Sequence, residues 1–374
     1  MAAEPAGAAA GAERRPRVLF AIGGLGRGGS ERQLMELISG LHPARVEAKV
    51  LTYSTVCDEG HARRLRELGV ELIQQPPLGG PRALRPLASL PRTFAVLRRL
   101  RPDVVYAWLE EASTTVTPAA RALGVPVVIA RRSVCGSQAE QQAIFRIAIR
   151  WAERRARLVT GNSEAVLDEA VTRGVPRERL RLVRNGHPPT PALPDPGGAE
   201  VRFGCVANYR PEKGHARLLA AAALVDSERP WRVDLVGAGE GRRQVEAEID
   251  RRGLGDRVEA RGPVTDIRRF WAEHDIALLL SDDEGSPNAL IEAAVLGRPL
   301  IGTNGGGTSE VIAADGGILV SHEPGDIAAA MERLIVKPQL RPSMGAAARR
   351  NALELHDLGR FRDGHLGALH EALD

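Results

Sequence analysis

One grammar is written twice along this chain, and a proline-rich stretch separates the two copies. From Arg17 onward, short apolar runs alternate with longer stretches of helical periodicity. The first copy contains RVLFAI, EAKVLTY, VELIQQ, DVVYAW, VPVVIA and RLVTGN. The second contains VRFGCVA, WRVDLVGAG, RVEARG, DIALLLS, RPLIGT and GGILVS. Strand-sized apolar runs alternating with helices imply parallel sheets covered by helices on both faces. Between the copies, residues 187–200 read HPPTPALPDPGGAE. Its five prolines and two glycines sustain neither a helix nor a central strand, so it reads as a linker. The expected fold is α/β, with two doubly wound domains facing each other. Ligands of such sheets bind at the carboxyl ends of the strands, which places the site in the cleft.

Bulk properties agree with that plan and remove other classes. A length of 374 residues suits two domains, and 43% hydrophobic residues supply two cores. The 51 Lys+Arg nearly balance the 47 Asp+Glu. A net charge of +4 and only 3% aromatic residues argue against nucleic acid as a partner. Cys57, Cys135 and Cys205 are far apart, with no metal spacing and no disulfide framework, which suits a reducing cytoplasm. Residues 1–16, rich in Ala, Gly and Pro, read as a disordered lead-in without the apolar core of a signal peptide. No apolar run reaches the ~18 residues of a transmembrane helix.

The most informative segment runs from Ser281 to Pro299, SDDEGSPNALIEAAVLGRP. DIALLLS reads as a buried parallel strand, and DDEG as the turn after it. Ser286 is the expected N-cap and Pro287 the first helical residue. The helix then runs to a stop at Gly297. Glu284 falls on a strand-end loop. Glu292 falls inside the helix, on the face of Asn288 by their i,i+4 spacing. Apolar residues flank Glu292, and an unpaired buried carboxylate there is costly. A polar ligand would supply its partners, and the helix N-terminus suits an anionic or hydroxyl-rich one.

The series S-x-x-E-G, six residues, E-A, then G-x-P resembles the signature of retaining GT-B glycosyltransferases of family 4. Residues 281–299 match it position by position, and the resemblance continues in order over nearly the whole chain after residue 17. It implies two Rossmann-like domains: an acceptor domain over 17–190, a nucleotide-sugar domain over 191–357, and a C-terminal helix at about 358–374 that crosses back onto the first. It implies that Glu284 lies by the transferred sugar and that Glu292 holds the ribose of the sugar nucleotide. No tightly bound cofactor is implied; the donor would be a UDP or GDP sugar. The acceptor would be a glycan or a lipid-linked sugar, in cell-surface polysaccharide or glycoconjugate synthesis.

The other motifs are read beside that resemblance. VANYRPEKGH, residues 206–215, follows the first strand of the second copy. Arg210 and Lys213 can clamp a diphosphate there, one as a fork and one as a point charge. The alternative is a solvated basic turn. In the family this loop binds the donor phosphates, but the usual arginine position holds Asn208 here. TNGGGTSEVI, residues 303–312, offers Gly306, Gly307 and Thr308 to a phosphate at a strand-to-helix junction, and Thr308 and Ser309 as caps. It is similar to the family's G-G-x-x-E loop, with Glu310 last. Val264 sits where the family's backbone meets the base. AIGGLGRGGSERQLMEL, residues 21–37, places Ser30 as a cap and is similar to the family's G-G-x-E loop, with Gly28 and Gly29 in the glycine places.

Some residues depart from the pattern. Trp108 stands where many relatives carry a histidine near the donor sugar, and His187-Pro188 replace the end of N-G-x-D. His187 and His215 read as ordinary loop histidines. VGAGEGRR, residues 236–243, reads as a structural turn near the nucleotide, because a lone G-x-G lacks the dinucleotide fingerprint. Asp282 and Asp283 are adjacent rather than spaced as D-x-D, so no metal requirement is expected. Residues 139–158, AEQQAIFRIAIRWAERRARL, mix apolar side chains with arginines. They read either as a domain-surface helix or as peripheral contact with the inner face of the cytoplasmic membrane. Rival functions are a catalytically silent binding or scaffold protein, a sugar-nucleotide epimerase, and a nicotinamide oxidoreductase that lacks its fingerprint.

Overall fold

The computed structural model describes residues 14–76, 85–134, 143–313 and 315–374. Among the described residues, thirteen strands make two sheets. The first block of chain runs β1 (Arg17–Ile22), α1 (Gly29–Leu41), β2 (Glu47–Thr52), α2 (Glu59–Leu68), β3 (Glu71–Gln74), α3 (Arg85–Leu100) and β4 (Val104–Trp108). It continues with α4 (Glu110–Ala122), β5 (Val127–Arg131), α5 (Ala143–Arg155), β6 (Leu158–Gly161), α6 (Glu164–Thr172) and β7 (Leu180–Leu182). Its strand order is β3-β2-β1-β4-β5-β6-β7, with every pairing parallel.

The second block runs β8 (Val201–Val206), α7 (His215–Ala222), β9 (Trp231–Val236), α8 (Arg242–Arg251), β10 (Val258–Arg261), α9 (Ile267–Ala272) and β11 (Ile276–Leu279). Then follow α10 (Asn288–Val295), β12 (Leu300–Thr303), α11 (Thr308–Val311), β13 (Gly317–Val320), α12 (Pro324–Val336), α13 (Leu340–Leu355) and α14 (Leu358–Leu373). The order is β10-β9-β8-β11-β12-β13, again parallel throughout. The fold is the α/β, GT-B arrangement of two doubly wound sheets.

The pleat explains why the strands read so clearly in the sequence. Along β4, Val104, Tyr106 and Trp108 enter one core layer, while Val105 and Ala107 enter the layer on the other face. Both faces are covered, so the run is apolar without a break. The layer around α4 and α5 takes the second face of the first sheet. The layer around α1 and α14 takes the first. Helix α14 thus lies far from its sequence neighbours and packs on α1, β4, β5 and β6.

Several local expectations are corrected. Strand β7, three residues reading LRL, has no apolar run to announce it. Helix α10 starts at Asn288 with Pro287 as its N-cap; Ser286 makes no cap and is buried. Helix α1 starts at Gly29 with Gly28 as N-cap, so Ser30 lies inside it. Gly307, not Thr308 or Ser309, caps α11. His215 is the first residue of α7, buried and stacked on Tyr209 with ring centroids 5.0 Å apart. Most of the lead-in lies outside the described residues, but Arg14 is described and its Nη2 reaches Asp103 at 2.5 Å. Cys135 and residues 139–142 of the amphipathic segment also lie outside them.

Candidate active site

The loops after β8, β11 and β12 converge at the carboxyl edge of the second sheet. Arg210 N-caps a single 3-10 turn, Pro211–Lys213, and Gly214 closes it at φ 71°. A Cβ at Gly214 would lie 2.0 Å from the Leu280 carbonyl oxygen, so no other residue lets this turn lie so close to β11. The Asp282 N–H donates to the Glu212 carbonyl at 2.8 Å and ties the two loops together. Lys213 Nζ is thereby brought 2.5 Å from Glu284 Oε1, which also accepts from Ser281 Oγ at 2.7 Å. Two residues that the sequence places on separate loops are in contact. Arg210 is more open, with its nearest carboxylate, Glu212, at 3.9 Å. Arg217, absent from the sequence reading, donates to the Leu280 carbonyl and to Asp282, each at 2.6 Å.

The glycine loop packs backbone to backbone on the Glu284–Gly285 turn. Gly307 N–H donates to the Glu284 carbonyl at 2.7 Å, and Thr308 N–H to the Gly305 carbonyl at 3.2 Å. Those two amides are therefore engaged inside the loop, contrary to the expectation that they face a ligand. Gly306, at φ 50°, has no backbone partner for its N–H among the described residues. Burial, followed by the neighbouring charges of Glu169, Glu284 and Asp282, pushes the Asp283 carboxyl above its ordinary range. Asn208 Oδ1 accepts from Ala238 N–H at 3.3 Å. The G-x-G turn thus braces the phosphate-loop candidate, as its reading as a structural element requires. Val264 is exposed beyond β10.

Across the cleft the two blocks meet closely. Asn288 and Glu292 share a face of α10, as their spacing predicts, and that face looks at α1. Glu292 is 7% exposed, and Arg32 Nη2 lies 2.5 Å from its Oε1. Burial pushes the Glu292 carboxyl up, and Arg32 opposes the shift. Asn288 Oδ1 accepts from Asn185 Nδ2 at 3.0 Å and Gln33 Nε2 at 3.4 Å. A Cβ at Gly29 would lie 2.4 Å from Asn288 Nδ2, so that glycine sets how near α1 can approach. A cavity of about 250 Å³ lies here, with Arg32, His187, Asn288 and Glu292 among its walls. Glu31, in the G-G-x-E position, is also pushed up by burial.

The chain crosses between the blocks beside this contact. Asn185 Nδ2 also donates to the Ser286 carbonyl, while Asn185 Oδ1 accepts from Arg132 Nη1 at 2.9 Å. His356, where the chain returns, bonds through Nδ1 to the Asn185 carbonyl at 2.9 Å. Arg132 is buried, and its guanidinium lies 4.1 Å over the Trp108 ring. Burial lowers the Arg132 pKa to about 10. Trp108 itself is fully buried and donates through Nε1 to the Ser30 carbonyl at 3.1 Å. It supports the first turn of α1 and exposes none of its ring. Glu310 bridges the blocks too: it accepts from Ala165 N–H at 3.1 Å, at the start of α6, and from Arg184 at 2.6 Å.

The sequence reading missed Arg32, Arg132, Arg184 and Arg217, and gave Asn185 no role although it opens the N-G-x-D match. Only Arg32 had a signal, since it lies beside the G-G-x-E series and one α-helical turn from the glycines. Among the described residues no group of His, Cys, Asp and Glu could hold a metal ion, and no helix is long and apolar enough to cross a membrane.

Comparison with known proteins shows the family and the fold. Residues 27–190 match the family model described as Glycosyltransferase Family 4, and residues 200–337 the one described as Glycosyl transferases group 1. The chain belongs to the family 4, group 1 glycosyltransferases. LpsD of Rhizobium meliloti (strain 1021), a lipopolysaccharide core biosynthesis glycosyltransferase, is 28% identical over 339 residues, or 85% of this chain and 88% of LpsD. The crystal structure of Anabaena HepE with UDP and glucose superposes with a TM-score of 0.82. It covers 95% of this chain and 100% of HepE at 22% identity. Sucrose-phosphate synthase from Thermosynechococcus elongatus has the same fold, with a TM-score of 0.80 at 18% identity over 96% of this chain and 98% of its own.

Proposed function

We propose that this enzyme moves a sugar, with retention of its anomeric configuration, from a nucleoside-diphosphate sugar to a hydroxyl of a glycan, glycolipid or lipid-linked acceptor. The observation that carries the reading is the Lys213–Glu284 contact, set between the Arg210 loop and the glycine loop at a sheet's carboxyl edge. HepE, alike in fold, binds UDP and glucose, which supports a UDP sugar here. GDP remains the second nucleotide to test. LpsD acts in lipopolysaccharide core synthesis, which supports a cell-surface glycan as the product.

In this reading Arg210, Lys213 and the Gly306 amide meet the diphosphate. As the bond from the anomeric carbon to the β-phosphate oxygen breaks, negative charge grows on the leaving diphosphate. Fixed cations aimed at that charge stabilise the transition state more than the ground state. Lys213 then divides its donors between the phosphate and Glu284, which holds the sugar. Glu292 accepts from the ribose hydroxyls, Asn288 frames the same face, Val264 meets the base, and Gly28 and Gly29 let α1 close over the donor. Gly307 and Thr308 hold the glycine loop in shape. Glu284 has a positioning role rather than a covalent one.

The test is a panel of UDP, GDP and ADP sugars scored for slow hydrolysis, with the anomer of the released sugar followed by NMR. Release of the donor's own anomer from one member supports the proposal. Release of the opposite anomer overturns retention. Binding without release in the presence of candidate acceptors favours a silent scaffold, and isomerised sugar nucleotide favours an epimerase.

A further inference from the structure

Helix α5 is two-sided in an unusual way. Phe145, Ile149, Ala152 and Glu153 are buried against the first block. On its outer side Ile144 is 61% exposed, Ile147 68% and Trp151 40%. At about 100° per residue, these three fall within an arc of about 60°. Arg146, Arg150 and Arg154 fill the adjoining arc of about 80°, and all three are exposed. Arg155, also exposed, follows Trp151 by one turn. The helix has one acidic residue, Glu153, which is turned inward and paired with Arg131 at 2.7 Å. Among the described residues no salt bridge engages the four outward arginines.

The outer half of α5 therefore carries an apolar strip, a basic strip and no acid. Scattered exposed apolar residues need no explanation. Three on one helical stripe, edged by uncompensated arginines, form a patch that water solvates poorly and an anionic surface attracts. Arginine stems can lie along lipid while their charges stay at the headgroups, and tryptophan favours that interface. A nucleic acid would use the charges and leave the isoleucines unexplained. An apolar protein partner would leave the arginines unexplained.

We propose that the outer face of α5, through Ile144, Ile147 and Trp151 with Arg146, Arg150 and Arg154, docks the enzyme on an anionic phospholipid bilayer. Helix α5 follows β5, so its N-terminal end with Ile144 lies at the strands' carboxyl edge, on the cleft side of the sheet. Docked there, the cleft opens beside the bilayer, where an acceptor could keep its lipid tail in the membrane. That last consequence rests on the lipid-linked acceptor; the docking does not.

The experiment uses the full chain with vesicles of phosphatidylcholine alone or mixed equally with phosphatidylglycerol. Trp108, Trp231 and Trp271 are buried, so a fluorescence change on binding reports Trp151. Expected are co-sedimentation with the anionic vesicles only, a blue shift lost in Trp151→Phe, and weakening by salt. Each arginine near a charged surface contributes about fivefold in affinity, so Arg150→Gln/Arg154→Gln should bind about 30-fold more weakly. Ile144→Glu/Ile147→Glu should abolish binding, while its thermal melt and donor hydrolysis in solution stay at wild-type values. Wild-type protein that ignores anionic vesicles overturns the proposal. So does undiminished binding by the isoleucine pair. If the face instead joins two copies, wild type sediments as a dimer, the isoleucine pair as a monomer, and the membrane assignment is wrong. Loss of docking with donor hydrolysis intact separates this proposal from the donor reading.

Discussion

Gly285→Ala is the sharpest perturbation that the closed cleft offers. A Cβ at Gly285 would lie 2.3 Å from the Arg132 carbonyl oxygen and 2.7 Å from its carbon. Both are backbone atoms, so no side chain can yield. Ordinary contact needs about 3.4 Å, so something must move by about 1 Å. On its other side the turn has no slack, because the Gly285 carbonyl lies against the Gly307 backbone and Gly307 N–H is bonded to the Glu284 carbonyl. Either the blocks part or the turn shifts and carries Glu284 with it. A misplacement of that size costs about 100-fold in turnover, or about 2.7 kcal/mol of barrier. Residues 281–289 belong to none of the hydrophobic core layers, so the melting temperature should move by only a few degrees. The assay is steady-state donor hydrolysis beside nucleotide binding. Turnover should fall about 100-fold while nucleotide affinity changes only a few-fold. A folded variant with turnover within about twofold of wild type would refute the reasoning.

Three other outcomes follow from the same geometry. Arg32→Met removes the charge that opposes burial at Glu292, so the carboxyl moves further up; donor affinity should fall near neutral pH and recover as pH is raised, and Arg32→Lys should restore much of it, as read by calorimetric titration across pH. Burial pushes His215 and His356 down to about 4, so both are neutral in the fold and take up protons on unfolding. Stability is then complete above pH 6.5 and falls as pH drops toward 4, by about 1.4 kcal/mol per pH unit for each histidine. Urea unfolding at several pH values measures that slope, which should flatten in His215→Gln and His356→Gln. Glu310→Ala removes the acceptor of Ala165 N–H and the partner of Arg184; it should cost about 1–2 kcal/mol, seen as a lower thermal midpoint.

The sheets were legible in the sequence because both faces of each are covered, which makes a strand an unbroken apolar run. Strand β7 escaped because LRL at an edge buries little. The carboxylates of the segment Ser281–Pro299 were legible one at a time. Glu284 follows a strand and Glu292 interrupts an apolar helix face. What they touch was not legible. Arg32 and Glu292 are 260 positions apart in the chain, and no local rule joins them. Asn185 opens the N-G-x-D match, but nothing assigns it a role until Arg132, Ser286 and Asn288 are seen around it. Trp108 misled for a similar reason: its place in the pattern suggests the cleft, but its indole is spent on the Ser30 carbonyl in the first turn of α1.

The central claim is that one nucleoside diphosphate lies between Lys213 and Glu292. Calorimetric titration of UDP and GDP into the wild type, Lys213→Ala and Glu292→Ala tests it most directly. The account predicts one nucleotide bound by the wild type at a single site, with affinity lost by tenfold or more in each variant. Binding to neither nucleotide, or equal binding by all three proteins, would contradict it.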